Sequence, residues 1–172
     1  MTLAPLVTAA LAAAPSGSPE RVSHVYEQHL AGPLDRVLPL LTPLGERDWA
    51  AGWQPQIRWE PAEGRVGTLF VTAHPGQPDT LWMLDTWEPS QGHVHYVHVT
   101  PGSDVTEIDI RLRPDGEART IATVRYTWTA LGPPGVALVK RKTPDAYVQA
   151  MRHWEKELNH FLTTGRMLPA EH

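Results

Sequence analysis

The chain contains no cysteine, which excludes disulfides, a thiol nucleophile and thiolate metal ligands. It also lacks a Gly-x-Gly-x-x-Gly or Walker pattern, so we do not expect a nucleotide-binding loop. Long basic runs are missing, and the formal net charge is -4. A protein of this charge is not expected to have nucleic acid as its main partner.

No apolar run is long enough to span a bilayer, because a spanning helix needs about 20 apolar residues. The longest one, residues 3–14, resembles the hydrophobic core of a signal peptide but has no Lys or Arg before it. We therefore expect residues 1–20 to be an N-terminal tail that is disordered or belongs to a mis-assigned start. The expected location is the cytoplasm, with secretion as the alternative if this stretch is a signal peptide.

Turn signals at short intervals are the most informative feature present, and they fall between residues 60 and 116. Clusters of Gly, Pro, Asp and Ser separate runs of strand length there, which predicts an antiparallel meander. A first strand is predicted over residues 22–30, with Val22 and every second residue up to Leu30 on one face. Six later strands are predicted at about residues 56–60, 67–73, 80–88, 93–100, 104–113 and 119–130.

Two short helices are predicted between the first strand and the second. Apolar residues from Leu34 to Leu41 follow helical spacing, but Pro39 should kink or shorten this helix. The next helix, residues 46–52, places Trp49 and Trp53 on one side.

A long helix is predicted at the C-terminal end. Thr143-Pro144-Asp145 is a strong helix start, with a capping hydroxyl, a proline at the first helical position and then an acid. The helix should end at Gly165. Its apolar stripe contains Tyr147, Met151, Trp154, Leu158 and Phe161.

The order of one strand, two helices, six strands and a long helix resembles the helix-grip fold of the START and Bet v 1-like (SRPBCC) superfamily, which includes polyketide cyclases and Aha1-type domains. The segments that carry the resemblance are residues 40–49 (LLTPLGERDW), 52–55 (GWQP), 111–116 (RLRPDG), 154–155 and 159–162. It implies a single α+β domain over residues 21–166, followed by a short tail, 167–172. It also implies a curved antiparallel sheet around the C-terminal helix, with an internal pocket for an apolar small molecule.

The predicted turns give strand registers that decide which side chains face this pocket. Four-residue loops at 89–92 and 101–104 pair Trp82 with Val99 and Thr100 with Val105, and a two-residue hairpin at 115–116 pairs Ile110 with Ile121. On these registers Trp87, Tyr126 and Trp128 face solvent. The pocket-lining residues predicted from the inner face and the helix are Trp82, Leu84, His95, Val97, Ile108, Ile110, Thr123, Arg125, Tyr147, Met151 and Trp154.

Arg125 is the unusual member of this set, because a guanidinium is costly to bury without a partner. It is either an anchor for a carboxylate or phenolate on the ligand, or an arginine near a strand end that reaches solvent or a helix carboxylate. His93 and His95 point the same way from one strand, as metal-binding pairs do. No third ligand has suitable spacing, so we expect neither a metal nor another cofactor. His98 and Glu107 are predicted to be neighbours across a hairpin.

Three functions are compatible with these residues. The first is binding of a small hydrophobic or aromatic molecule between the sheet and the C-terminal helix. The second is a cyclase- or dehydratase-like enzyme in which Arg125 stabilises an enolate and a histidine of the pair moves protons. The third is an Aha1-like interaction module that uses the predicted exposed patch of Trp87, Tyr126 and Trp128. The sequence does not predict the oligomeric state.

Overall fold

Seven strands form one curved antiparallel sheet. They are β1 Arg21–Leu30, β2 Gln56–Trp59, β3 Leu69–Thr72, β4 Thr80–Glu88, β5 His93–Thr100, β6 Asp104–Pro114 and β7 Thr120–Ala130. Their spatial order is β1-β7-β6-β5-β4-β3-β2. The computed structural model describes residues 20–62, 65–73, 76 and 78–169. Residues 1–19 of the predicted tail, residues 170–172 and parts of three predicted turns (60–64, 74–76 and 77–79) therefore lie outside the described residues.

The helices differ from the prediction at two places. Helix α1 spans Leu34–Val37 and is followed directly by a 3₁₀ turn, Leu38–Leu41, which has Pro39 near its start. The predicted helix is therefore shortened, as expected from Pro39. A second 3₁₀ turn, Gly45–Asp48, stands where a short α-helix was predicted. Helix α2, Pro133–Arg141, was not predicted, because its opening Pro-Pro-Gly is typical of a turn although proline is also well suited to a helix start.

The long C-terminal helix α3, Pro144–Thr164, begins and ends where the sequence predicts. The side chain of Thr143 accepts a hydrogen bond from Ala146 N at 3.3 Å, and Gly165 ends the helix in the left-handed region at φ 69°. The helix lies across the concave side of the sheet, where Tyr147 Oη donates to the Val124 carbonyl at 2.8 Å.

Polar side chains also attach α3 to the edge strand β1. The Glu155 carboxylate accepts hydrogen bonds from His29 N at 2.7 Å and from Tyr26 Oη at 3.1 Å. Asn159 donates to the His29 carbonyl at 2.8 Å and accepts from Ala31 N at 2.7 Å. These hydrogen bonds satisfy backbone groups at the end of the edge strand β1. Glu155 and Asn159 therefore have a structural role.

The strand registers differ from the predicted ones, and the causes are local. The 89–92 loop pairs Glu88 with His93 as expected, but a register shift between Leu84 and Thr86 places Leu84 opposite Tyr96. The next loop has three residues, so Thr100 pairs with Asp104. The β6–β7 connection is longer than a two-residue hairpin, because Pro114 pairs with Thr120.

These shifts correct the predicted face of β5 and β7, because moving a strand by one residue exchanges its two sides. His95 and Val97 on β5, and Thr123 and Arg125 on β7, lie on the convex side of the sheet and not toward α3. The concave side instead carries Val94, Tyr96, His98, Val124, Tyr126 and Trp128 from these strands. The faces predicted for Trp82 and Leu84 on β4, and for Ile108 and Ile110 on β6, agree with the structure.

A helix that spans a membrane must be both long and strongly apolar. Within the described ranges, no helix meets both requirements.

Candidate functional site

A cavity of about 150 Å³ lies between the concave side of the sheet and α3. Seven of its twelve lining residues are aromatic. The lining residues are Glu46, Trp49, Ala50, Trp53, Phe70, Trp82, Tyr96, Ile108, Ile110, Tyr126, Met151 and Trp154. The cavity therefore presents ring faces and aliphatic groups around a single acidic side chain.

The aromatic walls are held by hydrogen bonds and ring contacts. Trp49 Nε1 donates to the Leu40 carbonyl at 2.8 Å, and its ring stacks on Trp154 of α3 at 5.7 Å between centroids. Trp53 Nε1 donates to the Pro43 carbonyl at 2.8 Å. Both indole donors are thus satisfied by the backbone of the segment between α1 and β2, which leaves their rings free to line the cavity.

The sheet side of the cavity is also preorganised. Phe70 and Trp82 stack at 5.4 Å with 13° between their planes, and Trp53 meets Trp82 edge-on at 5.4 Å. Tyr96 Oη donates to the Leu41 carbonyl at 2.8 Å. The Tyr96 hydroxyl is therefore already engaged.

Glu46 is the chemically distinctive residue of the cavity. Among the described residues, none forms a hydrogen bond or ion pair with its carboxylate. Burial raises the pKa of Glu46 from 4.5 to about 8. A carboxyl group in this state can hold or release a proton near neutral pH.

A tight backbone approach positions Glu46. A Cβ at the preceding Gly45 would lie 2.0 Å from the Pro39 carbonyl oxygen, so no larger residue fits there. Gly45 N donates to Thr42 Oγ1 at 3.0 Å, and Glu46 N donates to the Thr42 carbonyl at 2.9 Å. These contacts hold the 3₁₀ turn Gly45–Asp48 against the end of the 3₁₀ turn Leu38–Leu41. The Glu46 side chain is thereby placed at the cavity.

Tyr126 also lines the cavity. Like the Glu46 carboxylate, its hydroxyl has no hydrogen-bond partner within the described part of the chain. Burial raises the pKa of Tyr126, and the nearby Glu46 carboxylate raises it further. The phenol therefore stays protonated and can donate a hydrogen bond to a bound molecule.

A second cavity of about 330 Å³ adjoins the first and shares Tyr126 and Met151 with it. It lies beside α2 and the start of α3. Lys142 is half-buried there with its ammonium 5.1 Å from the centre of the Trp128 ring, and burial lowers the pKa of this lysine. The two cavities form a larger apolar chamber next to a smaller one that contains the acid.

His98 also faces the concave side. Its Nδ1 is buried and has no hydrogen-bond partner among the residues that the structure describes, and its ring lies 4.1 Å from that of Trp82. Burial lowers the pKa of His98 to about 4. It is opposite Thr106, so the predicted His98–Glu107 pair is wrong, and Glu107 forms an ion pair with Arg21.

A larger cleft, about 610 Å³, lies elsewhere, between α1 and the loops near residues 89 and 114–119. Its ionisable residues, Asp35, Glu117 and Arg119, are exposed. An open cleft with solvated charges offers little specific chemistry, so we place the site at the enclosed aromatic cavity.

The structure divides the predicted site residues into groups. Trp82, Ile108, Ile110, Met151 and Trp154 line the aromatic cavity. Tyr147 lines the adjoining one, and Leu84 is buried on the same side of the sheet. Whether these residues bind a ligand remains a prediction. His95, Val97, Thr123 and Arg125 lie on the convex side and are not brought to the cavity.

The predicted histidine pair is built into carboxylate contacts on the convex side. His93 Nε2 lies 2.7 Å from Asp109 Oδ1, and His95 Nδ1 lies 3.0 Å from Asp85 Oδ2. Over the described ranges, no group of three or more His, Asp or Glu side chains is arranged to hold a metal ion.

Glu46 and Tyr126 were not among the site residues predicted from the sequence. Glu46 precedes Trp49 by three positions, so the two share a side of a helical turn, and this spacing was an available signal. Tyr126 alternates with Val124 and Trp128 on β7. A strand face made of aromatic and β-branched residues indicates burial. The two-residue hairpin predicted at 115–116 nevertheless placed this face toward solvent.

The curved antiparallel sheet around a long C-terminal helix is the helix-grip fold, which confirms the predicted fold class. Norcoclaurine synthase from Thalictrum flavum is similar in structure, with a TM-score of 0.60 at 13% sequence identity over 86% of this chain and 98% of that one. CalU16 from Micromonospora echinospora has a TM-score of 0.56 at 18% identity, over 91% and 81% of the two chains. SA2116 from Staphylococcus aureus, a protein of unknown function, has a TM-score of 0.61 at 12% identity, over 86% and 96%. No protein-family model and no curated protein matches the chain.

Proposed function

We propose that the protein binds a small hydrophobic or aromatic molecule in the cavity between the sheet and α3. The observation that carries the proposal is the ring of aromatic side chains around an enclosed space of about 150 Å³. A ligand that buries about 200 Å² of apolar surface there would gain about 5 kcal/mol before the costs of association. A norcoclaurine synthase structure in complex with dopamine and hydroxybenzaldehyde lends support, because it has this fold and holds aromatic molecules.

The test is native mass spectrometry of the protein purified from its own host, followed by denaturing release of any bound molecule. Ala50→Phe should abolish the bound mass, because Ala50 lines the cavity and a benzyl group would fill it. Ala51→Phe is the matched control, because Ala51 is exposed and does not line the cavity. Equal occupancy in both variants would contradict binding at this site.

Catalysis of the cyclase or dehydratase kind is the second candidate, and Glu46 with Tyr126 is the observation that favours it. An acid with a pKa of about 8 beside a phenol can exchange a proton with a bound molecule. Arg125 and the histidine pair no longer support an enzyme, because they lie on the convex side. If the protein is an enzyme, the molecule that copurifies with Glu46→Gln should differ in mass from the molecule that copurifies with the wild type. If it is a binding protein, the two copurified molecules should be identical.

The interaction module loses its sequence support. Trp87, Tyr126 and Trp128 face the concave side, and Trp128 is only 6% exposed. They do not form the exposed patch on which that hypothesis depended.

A further inference from the structure

The charge distribution in the aromatic cavity indicates the kind of head group that fits there, if the proposed function is correct. Glu46 is the only acidic side chain among the described lining residues, and no Lys or Arg is among them. The other free polar group is the Tyr126 hydroxyl. With no Lys or Arg in the lining, a bound anion would have no cationic partner there, and a purely apolar ligand would leave the carboxyl group without a partner.

The surrounding rings favour one sign of charge. The faces of Trp, Tyr and Phe rings carry negative electrostatic potential and attract cations, most strongly where water is excluded. Trp49, Trp53 and Tyr126 line the same small space as Glu46. An ammonium group could therefore contact ring faces and a carboxylate at once.

We propose that the ligand carries an organic cation, an alkylammonium or quaternary ammonium group, whose counter-ion in the cavity is Glu46. This inference rests on the proposed function and specifies the chemical class of its ligand. The carboxylate supplies the charge and the aromatic walls supply most of the contact. The apolar remainder of the molecule would extend past Tyr126 and Met151 into the adjoining cavity of about 330 Å³.

Protonation of Glu46 should control this binding. The titratable groups that face it are Tyr96 on β5 and Tyr126 on β7, while the α3 residues at the cavity, Met151 and Trp154, carry no charge. The cations Arg141 and Lys142 lie at the neighbouring cavity. With the pKa of Glu46 near 8, the empty site should be mostly neutral at pH 6 and mostly ionised at pH 9.

Calorimetric titration with choline and its uncharged isostere 3,3-dimethylbutan-1-ol tests the inference, because neither probe titrates between pH 6 and 9. At pH 9 choline should bind at least about tenfold more tightly than the alcohol. Its affinity should fall by as much as about 100-fold at pH 6, whereas that of the alcohol should stay constant. Glu46→Gln should weaken choline binding at pH 9 by about tenfold or more, whereas Asp48→Asn, which changes an exposed acid in the same 3₁₀ turn, should leave it unchanged. Circular dichroism shows that both variants are folded.

Three outcomes would overturn the inference. These are equal or tighter binding of the alcohol, choline binding that survives Glu46→Gln, and the absence of choline binding at pH 9. The first two leave the proposed function standing, because the cavity still takes a small molecule. In the third case, the copurified molecule from the host decides the function separately.

Discussion

At the scale of single residues, burial holds two ionisable groups in their neutral forms. Within the described part of the chain, Glu46 lines the aromatic cavity without a partner, and His98 has an unpaired Nδ1 near Trp82. Desolvation is the largest cause of both shifts, and it acts in opposite directions on an acid and a base. Each group therefore makes the stability of the protein depend on pH.

Glu46 should make the wild type less stable as the pH rises. Its pKa is 4.5 in an ordinary setting and about 8 in the folded chain, so the native state binds the extra proton across this interval. The contribution of Glu46 to the free energy of unfolding should be most favourable below pH 4.5 and fall by several kcal/mol up to about pH 9. Urea denaturation of the wild type and Glu46→Gln at several pH values measures this difference.

The matched control is Asp48→Asn, because Asp48 is an exposed acid in the same 3₁₀ turn. It should follow the pH dependence of the wild type. If Glu46→Gln also does so, the carboxyl group is not desolvated in the native protein.

His98 should act in the other direction. Its pKa is lowered from 6.5 to about 4, so its contribution to stability is present above pH 6.5 and is lost as the pH falls toward 4. In an NMR titration its ring signals should not move between pH 6 and 8. A midpoint near 6.5 would show that the ring is solvated.

At the scale of elements, glycines with positive φ allow the tight connections between neighbouring strands. Gly92 closes the β4–β5 connection at φ 61°, and its carbonyl accepts from Leu112 N at 2.7 Å on β6. Gly116, in the β6–β7 connection, has φ 72° and open space around it. The two positions share a backbone conformation but differ in their surroundings.

Gly92→Ala should therefore destabilise the protein far more than Gly116→Ala. A Cβ at position 92 would lie 2.2 Å from the Leu112 carbonyl oxygen, so strands must separate, at a cost of about 3 kcal/mol or more. Gly116→Ala carries only the left-handed backbone penalty of about 1 kcal/mol. Chemical denaturation compares them, and equal losses would mean that the loop at residue 92 relaxes freely.

At the scale of the whole molecule, α3 packs on the sheet in one hydrophobic core and leaves a cavity beside it. Trp49, Phe70 and Leu158 are at most 1% exposed, yet a cavity remains beside them. A ligand that binds this space in the native state alone stabilises the protein by mass action.

Removing the copurified ligand should accordingly lower the melting temperature. At a ligand concentration of about 100 times Kd the stabilisation is about 2.7 kcal/mol, which corresponds to about 5–10 °C for a domain of this size. Differential scanning calorimetry before and after denaturing extraction and refolding measures the shift, and adding the extracted molecule back should restore it. An unchanged melting temperature would mean that the cavity is not its binding site.

The sequence by itself determined the seven strands, the long C-terminal helix and the helix-grip fold. Thr143, Pro144 and Gly165 mark the ends of α3 because capping acts within one helical turn. The strands β4 and β5 have their predicted ends because turn residues act over a few positions.

Only the tertiary structure decided which residues form the site. The side-chain period of a strand is two residues, so the longer β6–β7 connection was enough by itself to turn Arg125 outward and Tyr126 inward. Glu46 acquires its raised pKa only when residues distant in sequence close around it. Desolvation depends on this three-dimensional enclosure, which local sequence patterns do not encode.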